Sequence, residues 1–250
     1  MIKVYEALQR AHVERQLAIS AGHAAHTEIM APEIPRNNTF PRLKMASEMR
    51  RLHQNVIALL PRSQKGIIQF ISSRKGEGTS TIVREFALFL LHHRNNSVLI
   101  VESGSKNYAQ HQAFGIRPRK SMPCTVQNGV CIDEYISQVG DSQGYLCWLS
   151  EEAVSMARPK HLAEQPVIWN TLRASYDFVL LDCQPISDQD AALNLCVETD
   201  GVVLVLEAEK TRSRVVSNLR NRIVQNGGKV LGLVFNKQKY YIPDWIYKHL

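Results

Sequence analysis

No uncharged apolar run in this 250-residue chain approaches the ~20 residues that a helix needs to cross a bilayer. The opening residues, Met1-Ile2-Lys3-Val4-Tyr5-Glu6, do not read as a secretory signal, so the expected location is the cytosol. The five cysteines (Cys124, Cys131, Cys147, Cys183, Cys196) show no CxxC pair and no zinc-type spacing, and two of them sit inside apolar segments. Reduced, structural thiols are the expectation. No internal repeat appears at a period that would give a solenoid. A formal charge of +7 spread along the chain suits an anionic partner without specifying nucleic acid, nucleotide or membrane.

What is present is enough apolar content, 44%, to bury one large core. Residues 2–17 place Val4, Leu8, Ala11 and Leu17 among charges, the spacing of an amphipathic helix with one face in need of a partner. Ala21 to Pro41 is rich in Ala, Pro, Asn and Thr without periodicity and reads as a linker. The expected organisation is thus an N-terminal helical arm and linker over 1–42 and one domain over 43–250. Helix returns from Leu43 to Leu60.

Beyond that point short β-rich runs alternate with helical segments, the pattern of a mostly parallel sheet covered on both faces. The predicted strands are Gly66 to Ser72, Val98 to Glu102, Phe178 to Asp182, Val202 to Glu207 and Val230 to Asn236. Tyr108 to Gly144, with weak periodicity and a basic knot at Arg117-Pro118-Arg119-Lys120, reads as a variable insertion. In such a sheet, ligands bind at the C-terminal ends of the strands.

One segment there carries chemistry. A predicted strand ends at Ser72, a helix runs from Ser80 to Leu91, and Ser73-Arg74-Lys75-Gly76-Glu77-Gly78-Thr79 lies between them. Glycines let successive N–H groups point inward, and the helix dipole adds partial positive charge at the same spot, which together make a phosphate cradle. Ser80 or Thr81 would offer a hydroxyl to Mg²⁺. The general pattern GxxxxGK[ST] has lysine where this chain has Thr79 and glycine where it has Ser73. A neutral hydroxyl makes an ordinary hydrogen bond, whereas an ammonium makes one roughly twice as strong and also neutralises transition-state charge. Lys75 or Arg74, within the loop, are the candidate replacements. A Gly turn without ligand is the bland alternative.

Tyr176-Asp177-Phe178-Val179-Leu180-Leu181-Asp182-Cys183-Gln184-Pro185, with Asp190-Ala191 and Asp200-Gly201-Val202-Val203-Leu204-Val205 after it, resembles the acidic strand of bacterial tyrosine autokinases of capsule and exopolysaccharide operons. Ile2-Lys3-Val4-Tyr5-Glu6-Ala7-Leu8 resembles the start of their stand-alone cytoplasmic members. Gly232-Leu233-Val234-Phe235-Asn236 and Tyr241-Ile242-Pro243-Asp244-Trp245-Ile246-Tyr247 resemble their C-terminal end. The likeness thins between Asn107 and Pro159. It implies a three-layer α/β P-loop domain with a mostly parallel central sheet and an N-terminal helical arm. ATP or ADP and Mg²⁺ would be the cofactors. Lys75, Gly76, Glu77, Gly78, Thr79, Ser80 and Thr81 would line the phosphates, Ser80 would hold the metal directly and Asp182 through water, and Asn236 would meet adenine. Asp182 and Lys75 would be the catalytic side chains. Asp182 is alternatively a strand-end cap.

The departures from the family pattern bear on activity. Its second strand ends in Asp-x-Asp, with an Arg soon after, but this chain reads Glu102-Ser103-Gly104-Ser105-Lys106. Gly104 and Thr79 therefore remove two charged groups from a reaction that depends on positioned charge, so weak or absent kinase activity is expected. Glu48-Met49-Arg50-Arg51-Leu52-His53-Gln54 resembles the ExxRxxR segment of family self-association with its last Arg replaced. Read without the resemblance, Glu48 and Arg51 are an ordinary i to i+3 pair on a solvated face. Tyr240, Tyr241 and Tyr247 match the family's tyrosine tail only in part, because Ile, Pro and Trp interleave them; anchoring against the domain is the expectation. Thr211 to Arg222 carries Arg212, Arg214, Arg220 and Arg222 opposite Val215, Val216 and Leu219. That face is either solvated or a dock for DNA or anionic lipid, as in partitioning and division-site ATPases of this P-loop class; nucleic acid is not the expected partner.

The leading expectation is a regulatory, cytosolic partner of an inner-membrane polysaccharide co-polymerase, peripheral at the membrane through that partner. The alternatives are a working autokinase using Lys75 or Arg74, and a positioning ATPase.

Overall fold

Seven consecutive buried residues, Gly66–Ser72, form strand β1, and their alternation sorts the core into two halves. Ile67 and Ile71 point to one side of the sheet, Ile68 and Phe70 to the other, as the period-2 geometry of a strand requires. The computed structural model describes residues 41–60, 65–104, 108–123, 132–156, 167–187 and 191–238. All of these lie in one compact unit, Ile34–Leu250. The helix expected over 2–17, most of the linker after it, and Tyr240, Tyr241 and Tyr247 lie outside the described residues.

Among the described residues β1 belongs to a seven-stranded sheet of order β3-β4-β2-β5-β1-β6-β7. The strands are β2 (Val98–Ser103), β3 (Ser137–Gln138), β4 (Gly144–Leu149), β5 (Phe178–Cys183), β6 (Gly201–Glu207) and β7 (Val230–Asn236). Every pairing is parallel except β3 with β4. Helices α1 (Ala46–Leu59) and α2 (Thr79–Arg94) cover one face, packing Met49, Val56, Phe86 and Phe89 on Phe70, Phe178 and Leu180. The other face is covered by α5 (Val167–Ser175), α6 (Ala191–Asn194) and α7 (Ser213–Gln225), which bring Trp169, Leu193, Leu219 and Ile223 onto Val179, Leu181 and Leu204. Short helices α3 (Ala109–Phe114) and α4 (Glu151–Met156) flank β4 in sequence.

Polar anchors fix these layers. Buried Glu85, midway along α2, accepts from the backbone N–H groups of Lys44 (2.7 Å) and Met45 (3.0 Å), which tethers the start of α1, where no side chain caps the helix. Asp200, just before β6, accepts from Ile67 N (2.8 Å) and from Arg173 of α5 (3.3 Å). Helix α7 buries Leu219 and Ile223 and leaves Arg212, Arg214 and Arg220 exposed.

The three-layer α/β architecture is the expected one, and the five predicted strands are all present. Two further strands emerge within and just after the region read as an insertion. β4 escapes a sequence reading because Tyr145 and Trp148 are only half-buried on an otherwise short run, and β3 has two residues. α2 runs on past Leu91 to Arg94, where Asn95 adopts the left-handed conformation and its N–H closes on Leu90 O.

The close approach of β6 and β7 gives a stability test. A Cβ on Gly201 would lie 2.3 Å from Leu231 Cγ. Gly201→Ala is expected to cost about 1–3 kcal/mol in urea denaturation. Combined with Leu231→Ala, it should cost less than the sum of the two single changes.

Candidate nucleotide-phosphate site

The register of the parallel strands brings three predicted features to one edge. Phe70 of β1 lies beside Asp182 of β5, and Asp182 lies beside Glu102 of β2. The loop Ser73 to Gly78 leaves the C-terminal end of β1 at this same edge and turns into α2. Gly76 (φ +90°) and Gly78 (φ +95°) take left-handed conformations that a side chain would strain. At Gly78 space is closed as well, since a Cβ would fall 2.1 Å from Asn236 Nδ2.

The loop is held from behind by Glu77, which is only 3% exposed. Its Oε2 accepts from Ser73 N (2.7 Å), the Ser73 hydroxyl (2.9 Å) and Arg74 N (3.0 Å). Its Oε1 accepts from Glu207 N (3.3 Å), at the end of β6, and from the Thr211 hydroxyl. Burial pushes this carboxyl up, but the bonds from Thr211, Arg74, Ser73 and Glu207 outweigh it and hold it below the usual carboxylate range. Asn236, ending β7, donates from Nδ2 to Glu77 O at 2.9 Å and accepts from Lys237 N at 2.9 Å. The Lys237 ammonium donates to the Gly76 carbonyl and lies 3.6 Å from Glu207.

In front of the loop is a pocket of about 280 Å³. It is lined by Lys75, Gly76, Gly78, Thr79, Ser80 and Thr81 on one side and by Glu102, Asp182 and Gln184 on the other. Predicted site residues therefore converge, with two exceptions. Glu77 and Asn236 do not line the pocket; both hold its loop. Of the two candidate replacement cations, Lys75 lines the pocket and Arg74 does not. Thr79, at the pattern's lysine position, is buried, and its hydroxyl has no hydrogen-bond partner among the described residues. In the first turn of α2 the Thr81 and Ile82 N–H groups bond to Gly78 O (3.1 and 3.0 Å), which leaves those of Thr79 and Ser80 as the helix-start donors beside the pocket.

The acidic side is differently arranged. Asp182 is 6% exposed, and its Oδ2 accepts from Gln110 Nε2 at 2.7 Å. The same Gln110 nitrogen donates to Ser80 O at 2.7 Å. Burial is the main reason that the Asp182 carboxyl is pushed up to about 6; the Gln110 and Ser80 bonds pull the other way, and the Glu102 charge adds to the rise. Glu102 accepts from Gln110 N (3.0 Å) and His111 N (3.3 Å), and its Oε2 lies 2.6 Å from His111 Nδ1. Gly104, where the family pattern has its second Asp, is left-handed (φ +75°), and its carbonyl accepts from the Gln184 amide.

Magnesium takes a near-octahedral shell of oxygens. Ser80 and Asp182 are donors of the right kind, but the Gln110 amide sits on Asp182, and Glu102 is turned onto the start of α3. The Gln110 amide thus holds one of the two Asp182 oxygens, Oδ2, while Ser80 and Asp182 both line the pocket. No cluster of three or more metal-ligating side chains occurs among the described residues.

Gln110 and His111 are the residues that sequence reasoning missed, together with the Glu77 to Thr211 contact. The one signal was an adjacent pair of polar residues, Gln110-His111, at a helix start soon after an acidic strand.

A mostly parallel sheet with a glycine-rich loop between β1 and α2 and an acidic strand end beside it is a P-loop fold. No family model matches the chain. It is 20% identical over 197 residues to the putative tyrosine-protein kinase CapB of Staphylococcus aureus, covering 79% of this chain and 86% of that one. It is 22% identical over 181 residues to the tyrosine-protein kinase CpsD of Streptococcus agalactiae, covering 68% and 75%. The solved structure of the chimerical protein CapA2B2 superposes with a TM-score of 0.65 at 20% identity, over 78% of this chain and 85% of that one. The chain is thus similar in sequence and in fold to bacterial tyrosine autokinases.

The pH response of Asp182 tests the acidic side. Its carboxyl is raised from 3.8 to about 6 in the fold, so its ionised form opposes folding above about pH 6, and the penalty fades as pH falls toward 4. Asp182→Asn is expected to be more stable than the native chain at pH 7.5 by on the order of 2 kcal/mol, with the two curves converging near pH 4 in denaturant titrations.

Proposed function

We propose that this chain is a tyrosine-autokinase-like P-loop protein that binds ATP or ADP weakly and transfers little or no phosphoryl. It would work in capsule or exopolysaccharide synthesis as the cytosolic regulatory partner of an inner-membrane chain-length protein, with nucleotide occupancy or docking tuning the assembly. The observation that carries the reading is the pocket itself: its cradle is intact, while Thr79 stands at the lysine position and Gly104 at that of the second aspartate. Gly76, Gly78, Thr79, Ser80 and Thr81 would receive the phosphates. Phosphoryl transfer is catalysed by positioning and by charges aimed at the transferring group, so a site that has lost two charges keeps binding better than rate.

The similarity to capsule tyrosine kinases supports the polysaccharide setting and the membrane partner. No described helix is long and apolar enough to cross a membrane, which suits attachment through such a partner. Self-association through Glu48 and Arg51 is part of the same proposal. Both side chains are exposed on α1, and Glu48 accepts from the Ser47 hydroxyl at 2.7 Å.

A working autokinase is the second reading, and the position of Lys75 on the pocket wall favours it over one that uses Arg74. Incubation with radiolabelled ATP, alone and with the cytosolic segment of the membrane protein, separates the two. No incorporation above that of the Asp182→Ala variant is expected. Incorporation that Asp182→Ala and Lys75→Met each abolish would establish the kinase.

A further inference from the structure

We infer that the nucleotide held in this pocket is bound without a metal ion, because the Gln110 amide already bridges Ser80 O and Asp182 Oδ2, the two elements that would share magnesium. The inference rests on the nucleotide reading of the pocket and concerns what accompanies the phosphates there.

Gln110 is fully buried, and every polar part of it is engaged. The two hydrogens of its amide nitrogen go to Ser80 O and Asp182 Oδ2, both at 2.7 Å. Its carbonyl accepts from Arg84 at 3.5 Å, and its backbone N–H donates to Glu102 at 3.0 Å. The amide thus joins the first turn of α2 to the end of β5, a link that a metal ion and its water shell make in a site holding Mg²⁺ between a P-loop hydroxyl and an acidic strand. An ion on Asp182 Oδ2 would require that oxygen to release the amide, and an N–H with no access to water would lose its acceptor. Glu102 offers no substitute, since both its oxygens hold the start of α3 and His111.

The phosphate side needs no metal to bind. Backbone N–H groups at the start of α2 and the unpartnered Thr79 hydroxyl supply donors, and Lys75, which lines the pocket, supplies a positive charge nearby. The ligand class is therefore a metal-free nucleoside diphosphate or triphosphate. With neither a bridging ion nor a lysine at position 79 to hold the γ-phosphate, the site should discriminate little between the two.

Calorimetric titration of the full chain with ADP, once in EDTA and once in excess Mg²⁺, tests this. The dissociation constants are expected to agree within about threefold. Binding more than about threefold tighter with Mg²⁺ would overturn the inference and leave the nucleotide reading standing. No heat in either buffer would overturn both. Gln110→Ala releases Asp182 Oδ2 from the amide and is expected to make Mg²⁺ tighten ADP binding by about tenfold. A folded Gln110→Ala protein whose affinity still ignores Mg²⁺ would overturn the role given to Gln110. Should that variant not fold, the native titrations decide alone.

Discussion

The carboxylate of Glu77 holds the phosphate loop in shape. Five donors converge on it, three from the start of the loop and two from the region where β6 ends, so the loop is tied to a strand end far away in sequence. A buried charge is costly unless it is fully hydrogen-bonded, and once it is bonded it resists any rearrangement that would remove a partner. The left-handed glycines can then sit at Gly76 and Gly78, with Asn236 filling the space that a side chain at Gly78 would need. The cradle is thus maintained by contacts behind it, and it does not depend on the residues that face the ligand.

That separation lets the chemistry change while the loop persists. Thr79 faces the pocket and carries no charge, yet nothing behind the loop relies on it. On the acidic side, α3 places Gln110 and His111 against Asp182 and Glu102, and two neighbouring carboxylates that would repel each other are each given hydrogen-bond donors. In a metal-dependent site an ion performs that task. Here neutral and backbone donors perform most of it, which leaves Asp182 buried and easily protonated. The same hydrogen bonds that quiet the repulsion leave little room for transition-state charge stabilisation.

Much of this was legible in the sequence, and the limits have physical causes. β1, β5 and β6 are near-continuous apolar runs because both faces of an interior parallel strand are buried, and such runs are unmistakable. The loop is local, so its two glycines and the missing lysine can be read directly. β4 was not legible because its aromatic residues are partly exposed and its run is short. Gln110 and His111 lay in a stretch without periodicity, and their meaning comes only from the strand pairing that sets Asp182 beside Glu102. Likewise Glu77 and Asn236 look like ligand-facing residues in sequence, and only the packing of β6 and β7 on the loop reveals them as its supports.

The most direct test is a crystal structure grown with ADP and excess Mn²⁺, with data collected at the manganese absorption edge. The account predicts a diphosphate on the loop between Gly76 and Thr81, the Gln110 amide still bonded to Ser80 and Asp182, and no anomalous peak between them. A manganese peak bonded to Ser80 and facing Asp182, with Gln110 displaced, would contradict it.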